Sequence, residues 1–230
     1  MQYASLRTNV SRLRMQYPSF PMPAAFGDFP HHTEMAAYLD EYADTFALRE
    51  PIRFGVTVER LEPLADGGWL VGLDDGAELR CRAAVVASGH DWCPRLPEHA
   101  GRFAGEILHS HDYRTPEPFA GRRVLVVGAG QSATEIAMEL TGHAASVRLS
   151  IRSGVNVIPR WLQGAPYDSA DTSPGNRLPW PLLNRLFGRA VHRERGPVPG
   201  SWPVPDHRLL ERCPRCRRSC CRRCTAAPWS

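Results

Sequence analysis

The chain has 230 residues, of which 43% are hydrophobic and 23% charged. This composition is typical of globular proteins with a sizeable core, in one large or two small domains. No segment approaches the roughly 18 apolar residues of a membrane span, and no charged-then-apolar leader opens the chain, so we expect a soluble cytoplasmic protein. The net charge of +4 arises in residues 211–230, where six arginines outnumber one glutamate, so the near-neutral remainder predicts no nucleic-acid partner.

A proline-rich loop at residues 18–30 is followed by a predicted helix. Thr33 is a suitable N-cap for this helix. Apolar side chains then recur at helical spacing, which predicts one buried face formed by Met35, Tyr38, Leu39, Tyr42 and Phe46.

A β-meander is predicted next in the chain. Alternating or apolar segments at 52–61, 69–73 and 79–82 are typical of strands, and residues 74–76 (Asp-Asp-Gly) form a strong hairpin turn. A further short apolar strand is predicted at 83–87.

The second half of the chain contains one βαβ unit. An apolar strand is predicted at 123–128, followed by a helix at 131–141 and a second strand at 146–151. The continuous apolar sequence of the first strand is typical of a parallel strand that is buried on both faces. The predicted fold class is therefore α/β, with a Rossmann-type domain that follows an α/β domain containing the meander.

The turn between that strand and that helix has the pattern of a dinucleotide-binding loop. Gly128 permits a tight turn, Gly130 allows a pyrophosphate to approach the backbone, and Ala133 is small enough for the helix to pack on the strand. Gln131 and Ser132 begin the helix, whose N-terminal N–H groups attract phosphate. The alternative is a glycine turn without a ligand.

The end of the second strand predicts which nicotinamide nucleotide binds. An acidic residue at this place favours NADH, whereas arginine accommodates the 2′-phosphate of NADPH. Here Arg152 can bind a phosphate through two donors and Ser153 can add a hydroxyl, so NADPH is preferred. The alternative is that Arg152 is one of many surface arginines.

Several segments resemble the flavin-containing monooxygenase family and the related Baeyer–Villiger enzymes. Residues 103–113 are similar to the family fingerprint Phe-x-Gly-x-x-x-His-x-x-x-aromatic. Residues 85–89 with Pro94 resemble its Ala-Thr-Gly-x-Pro segment, and residues 6–9 and 20–23 resemble its flavin-proximal stretch. The fingerprint positions are Phe103, Gly105, His109 and Tyr113.

The resemblance implies an enzyme that uses FAD and NADPH. In the family NADPH reduces FAD, the reduced flavin takes up O2, and a C4a-hydroperoxyflavin delivers one oxygen atom to a small nitrogen or sulfur nucleophile or to a carbonyl. The chemistry belongs to the cofactors, which the protein orients and shields. The resemblance does not separate amine, sulfide and ketone substrates.

Site residues are carried over by position. The resemblance implies that Asn9 lies beside the flavin and helps to hold the oxygenated intermediate; the alternative is an asparagine that caps a turn. His109 would organise the linker between the two nucleotide domains, or simply bond to backbone. FAD would meet Leu6, Thr8, Asn9, Val58, Ala87, Ser88 and Gly89. NADPH would meet Gly128, Gly130, Gln131, Ser132, Ala133, Arg152 and Ser153.

The resemblance predicts three regions: a partial FAD-binding domain at 1–115, an incomplete NADPH-binding domain at 116–210, and a tail at 211–230. The family's first glycine turn, for the ADP part of FAD, has no counterpart, and the match stops near Glu211, so we expect a chain truncated at both ends. The Arg/Cys-rich tail is typical of a GC-rich gene read out of frame; the alternatives are a zinc site and a basic nucleic-acid tail. No metal site is expected.

Two other functions remain to be compared with an active monooxygenase. One is a non-catalytic NADPH-binding fragment of such an enzyme. The other is a disulfide reductase with two dinucleotide domains, which requires a redox Cys-x-x-Cys that Cys81 and Cys93 cannot form.

Overall fold

The computed structural model describes residues 2–89, 92–98, 100–169, 179–196 and 205. The predicted tail at 211–230 and the family-like stretch at 203–210, apart from residue 205, therefore lie outside the described residues. No helix in the described ranges is both long and apolar enough to span a bilayer. The α-helices are α1 (Arg12–Met15), α2 (His32–Thr45), α3 (Gln131–Leu140) and α4 (Trp180–Arg195). The strands are β1 (Val58–Pro63), β2 (Trp69–Leu73), β3 (Glu78–Cys81), β4 (Arg123–Val127), β5 (Ser146–Ser150), β6 (Trp161–Leu162) and β7 (Ala165–Pro166).

The chain divides into two compact units. Unit 1 consists of Met1–Met35 together with Asp112–Ser230, and unit 2 consists of Ala36–His111. Residues 1–35 thus belong to the same unit as the βαβ segment, whereas the predicted boundary at 115 puts them in different domains. The assignment of whole regions to FAD or NADPH stays a prediction.

Helix α2 begins one residue before the predicted N-cap. His31 is the capping residue, and its backbone N–H donates to Glu34 Oε2 at 2.6 Å. Glu34 is the third helical residue, the position whose side chain accepts this bond in a capping box. Thr33 is therefore inside the helix, and its hydroxyl lies 2.8 Å from His31 Nδ1.

The buried face of α2 is narrower than predicted. Tyr38 is buried and Met35 and Tyr42 are half-buried, whereas Leu39 and Phe46 are exposed. Helical spacing identifies which side chains share a face, but burial also requires a neighbouring element along the whole length of that face.

The predicted meander of unit 2 is confirmed, with β1, β2 and β3 pairing antiparallel in chain order. Gly76 adopts a φ of 81° in the hairpin turn, where the Ala77 N–H donates to Asp75 Oδ1 at 2.9 Å. The first strand is shorter than predicted, since β1 starts at Val58.

The strand predicted at 83–87 is wrong. These residues are not paired with any described strand, and the Val85 side chain is 90% exposed. An apolar run becomes a strand only where another strand satisfies its backbone groups, and the described residues supply none beside it.

The predicted βαβ unit of unit 1 is confirmed. Strands β4 and β5 pair parallel from Arg123 with Ser146 to Val127 with Ser150. Ile136 and Leu140 of α3 are buried with Tyr3 and Tyr113, and the half-buried valines 124, 126 and 147 pack against them. Alternate residues of β4 face this core.

The expectation that β4 is buried on both faces is wrong. Leu125 is 60% exposed and Val127 is also exposed. Helix α3 covers one face of the two-stranded sheet, and a second covering layer is what a doubly buried parallel strand requires.

The N-terminal segment is tied to the rest of unit 1 by backbone bonds. The Ala4 N–H donates to Arg114 O at 2.8 Å and the Thr8 N–H donates to Pro30 O at 2.9 Å. This routing brings residues 3–9 beside α3, and so prepares the site described next.

Candidate functional site

The glycine turn lies where the sequence predicts it, between the carboxyl end of β4 and the N-terminus of α3. Gly128 has a φ of +126°, a conformation that side chains rarely adopt, and a Cβ there would come 3.6 Å from that of Ala133. A Cβ on Gly130 would meet nothing within 4 Å. The turn is therefore tight at its first glycine and open to an approaching group at its second.

The N-terminus of α3 offers backbone donors. The first intrahelical bond runs from the Thr134 N–H to Gly130 O at 3.1 Å, so the amides of Gln131, Ser132 and Ala133 have no partner within the helix. The first turn contains no acidic side chain. Uncommitted N–H groups and the positive end of the helix dipole are what a phosphate requires.

Arg152 and Ser153 follow the end of β5 after one residue, Ile151, and are exposed. Because β4 and β5 are parallel, their carboxyl ends share one edge of the sheet, and the Gly128 N–H donates to Ser150 O at 2.9 Å across that edge. Arg152 and Ser153 thus lie past the same edge of the sheet as the glycine turn, one strand away.

A polar network joins the N-terminal segment to α3. Asn9 Nδ2 donates to Gln131 Oε1 at 2.6 Å, and Arg160 Nη2 donates to Glu135 Oε1 at 2.6 Å and to Asn9 Oδ1 at 3.4 Å. The Tyr3 hydroxyl donates to Glu135 Oε2. The structure therefore places Asn9, the predicted catalytic residue, beside Gln131, the first residue of α3.

Three members of this network, Tyr3, Glu135 and Arg160, were not predicted from sequence. Glu135 lies one helical turn after Gln131, so both project from the same side of α3, which is the one local signal for it. Arg160 follows a segment without regular periodicity, and nothing nearby in sequence marks it.

Comparison with known proteins assigns the family. A family model described as flavin-binding monooxygenase-like matches residues 1–185. The chain is 34% identical over 193 residues to indole-3-pyruvate monooxygenase YUCCA1 of Oryza sativa subsp. japonica, which covers 83% of this chain and 47% of that protein. The chain belongs to the FMO-like family. It spans less than half the length of this curated relative.

Solved structures of the FMO-like family agree with this assignment. A flavin-containing monooxygenase from Stenotrophomonas maltophilia has a TM-score of 0.64 and 27% identity, covering 90% of this chain and 58% of its own. An oxidised steroid monooxygenase bound to NADP has a TM-score of 0.54 and 30% identity, and the match covers 68% of this chain and 32% of that one. The expected cofactors, FAD and NADPH, are those of the family: flavin binding is in the family description, and this relative holds NADP.

The FMO-like fingerprint residues have different surroundings. Tyr113 is buried in the core of unit 1, where its hydroxyl donates to Glu139 Oε2 at 2.7 Å. The exposed ring of Phe103 covers Gly105, where an added Cβ would come 2.5 Å from the ring. His109 Nδ1 accepts the backbone N–H of His111 at 3.0 Å. That bond requires an unprotonated Nδ1, which suits a histidine that shapes a turn.

The residues fit NADPH better than FAD. For NADPH, the open side of Gly130, the amides of α3 and Arg152 share one edge. For FAD, Thr8 has a buried Oγ1 with no hydrogen-bond partner among the described residues, so a ligand could bond there beside Asn9. Within the described ranges, however, 128–133 is the only glycine turn between a strand and a helix, so no phosphate cradle for FAD is found there.

The remaining residues expected at FAD belong to different surroundings. Leu6 packs against the core of unit 1. Val58 begins β1 in unit 2 and is exposed, as are Ala87, Ser88 and Gly89, and Ser88 O accepts the Trp92 indole N–H at 2.7 Å. Their role stays a prediction.

Cysteine and metal chemistry have no structural support in the described part of the chain. Cys81 is half-buried and Cys93 is exposed, and both are free thiols. The described residues contain no group of three or more potential metal ligands.

Proposed function

We propose that this chain carries the NADPH-binding part of a flavin- and NADPH-dependent monooxygenase. The enzyme inserts one oxygen atom of O2 into a small nitrogen or sulfur nucleophile or a carbonyl compound. The observation that carries the proposal is the open glycine turn at the carboxyl edge of β4 with Arg152 at the same edge of β5. Membership of the FMO-like family supports it.

The residues of the turn would hold the pyrophosphate of NADPH. The amides of Gln131, Ser132 and Ala133 donate to pyrophosphate oxygens, and Gly130 leaves the space that those oxygens need. Arg152 binds the 2′-phosphate with two parallel donors, and the Ser153 hydroxyl adds a third. When bound, NADPH supplies a hydride and FAD activates oxygen; this chain's part is to hold and orient the nucleotide.

The preference for NADPH can be tested by fluorescence titration of the purified chain with NADPH and NADH. Arg152→Gln should weaken NADPH binding by about tenfold or more, because a charge-assisted phosphate contact contributes about 1.5–3 kcal/mol. Its affinity for NADH, which lacks the 2′-phosphate, should not change.

The matched control is Arg148→Gln, which removes the same charge from the middle of β5. This variant should keep the preference of the unchanged chain, because Arg148 does not lie at the carboxyl edge. Equal losses in the two variants would mean that general positive charge, rather than Arg152, attracts the nucleotide.

The second candidate function is a non-catalytic NADPH-binding fragment. The glycine turn and Arg152 would serve this function equally, because neither depends on FAD. An absorbance spectrum of the purified protein distinguishes the two. Flavin bands support the enzyme, whereas a colourless protein that still binds NADPH supports the fragment.

A further inference from the structure

The network around Asn9 has a fixed direction. Arginine has donors only, so the Asn9 atom that faces Arg160 must be the carbonyl oxygen. The Asn9 amide nitrogen then faces Gln131, and the Gln131 atom that accepts its hydrogen bond must be Oε1. The two Nε2 hydrogens of Gln131 are left outside these bonds. We call Arg160, Asn9 and Gln131 the amide relay.

Arg160 is itself held from several sides. Its Nη2 forms an ion pair with Glu135 at 2.6 Å, and the two side chains are only 32% and 24% exposed. The Tyr3 hydroxyl occupies the other oxygen of Glu135. The Phe29 ring centroid lies 5.6 Å from the guanidinium carbon, within cation–π range. Because Glu135 is the nearer partner, it anchors the guanidinium and Asn9 is its second acceptor.

The direction of the relay matters for an anionic ligand. A carboxamide can be turned end for end, and without a fixed donor both orientations of Asn9 and Gln131 satisfy the bond between them. In one orientation Gln131 has N–H groups to offer. In the other it has a carbonyl oxygen, which repels phosphate. Gln131 is the first residue of α3, where the amide donors lie.

We propose that Arg160 is a positioning residue that sets the direction of the amide relay, so that Gln131 offers its Nε2 hydrogens to a phosphate of the nicotinamide nucleotide. The inference rests on the proposed function, since it takes the glycine turn as the nucleotide site. Arg160 acts through Asn9 and does not touch the nucleotide itself.

The test is a double-mutant cycle on NADPH affinity with Arg160→Met and Asn9→Leu. Each single variant should weaken binding by about threefold to tenfold, the range of one hydrogen bond. The double variant should bind NADPH as tightly as the single variant with the lower affinity, because both substitutions break the same relay. Arg160→Lys keeps a donor and the ion pair, so it should bind almost as tightly as the unchanged chain.

The matched control is Arg49→Met. Arg49 also forms a 2.7 Å ion pair, with Asp40, but it is exposed and belongs to unit 2. This variant should bind NADPH like the unchanged chain. Gln131→Glu keeps an acceptor for Asn9 and removes the donors, so it should weaken binding more than Arg160→Met.

A second readout does not require nucleotide. The side-chain NH2 resonances of Asn9 and Gln131 in 15N spectra of the ligand-free chain should move in Arg160→Met and stay in place in Arg49→Met. If the unchanged chain binds no NADPH, the proposed function fails, and these resonances alone decide the positioning role. If Arg160→Met binds NADPH as tightly as Arg49→Met, or if the resonances do not move, Arg160 has no positioning role.

Discussion

Two buried tyrosines in unit 1 each donate to a carboxylate of α3. Tyr3 bonds to Glu135 and Tyr113 to Glu139, which lie one helical turn apart on the same face. The two rings pack edge to face with centroids 6.1 Å apart. A buried tyrosine hydroxyl usually has a hydrogen-bond partner, and here the two glutamates supply it.

Both tyrosines should make the stability of the chain sensitive to alkali. Burial, followed by the hydrogen bond to glutamate, raises the pKa of Tyr3 and of Tyr113 above the ordinary value of 10.0. A raised folded-state pKa adds stability that is complete below the unfolded pKa and is lost as pH rises towards the folded one. The free energy of unfolding should therefore fall above about pH 10.

Urea unfolding at pH 8 and pH 11 checks this prediction. The double variant with Tyr3→Phe and Tyr113→Phe should lose less stability between the two pH values than the unchanged chain. Tyr17→Phe, at an exposed side chain, should behave like the unchanged chain. An identical loss in all three proteins would assign the alkaline sensitivity to other groups.

At the scale of elements, the βαβ unit was predictable because its signals are local. Apolar residues are continuous in β4 and recur at helical intervals in α3, with a glycine turn between them. Each of the three elements begins at the predicted residue and ends one residue earlier than predicted. The strand expected at 83–87 had an equally apolar sequence. Its pairing depends on a neighbour that sequence pattern does not reveal.

The two glycines of the turn should respond differently to alanine. Gly128→Ala should destabilise the chain by about 1–3 kcal/mol, because its φ of +126° is strained for any side chain. Gly130→Ala has an extended backbone and free space, so it should fold normally but bind NADPH more weakly, since the new methyl group occupies the open side. Urea unfolding and NADPH titration measure the two effects. Equal stability of the two variants would contradict this reading of the turn.

At the scale of the whole molecule, each unit has its own compact set of contacts, yet large apolar side chains remain exposed. Leu125 and Val127 lie two residues apart on one face of β4 and are 60% and 61% exposed. Residues i and i+2 of a strand project to the same side, so they form one patch. Exposed apolar patches favour association.

The chain should therefore self-associate as its concentration increases. The double variant Leu125→Thr with Val127→Thr keeps strand-forming residues and removes the patch, so light scattering should show weaker association. Its free energy of unfolding should stay within about 0.5 kcal/mol per site, as is usual at exposed positions. Met138→Thr, at a lone exposed methionine on α3, is the control and should not change association.

The sequence by itself determined the α/β class, the meander, the βαβ unit, the glycine turn and the arginine that follows β5. These features depend on residues that are neighbours along the chain, where periodicity and backbone sterics act directly. Only the tertiary structure decided which apolar runs are covered and which side chains meet Asn9. Its partners Gln131 and Arg160 lie 122 and 151 positions away, and contacts at such separations form only when distant segments fold against each other, which leaves no local pattern to read.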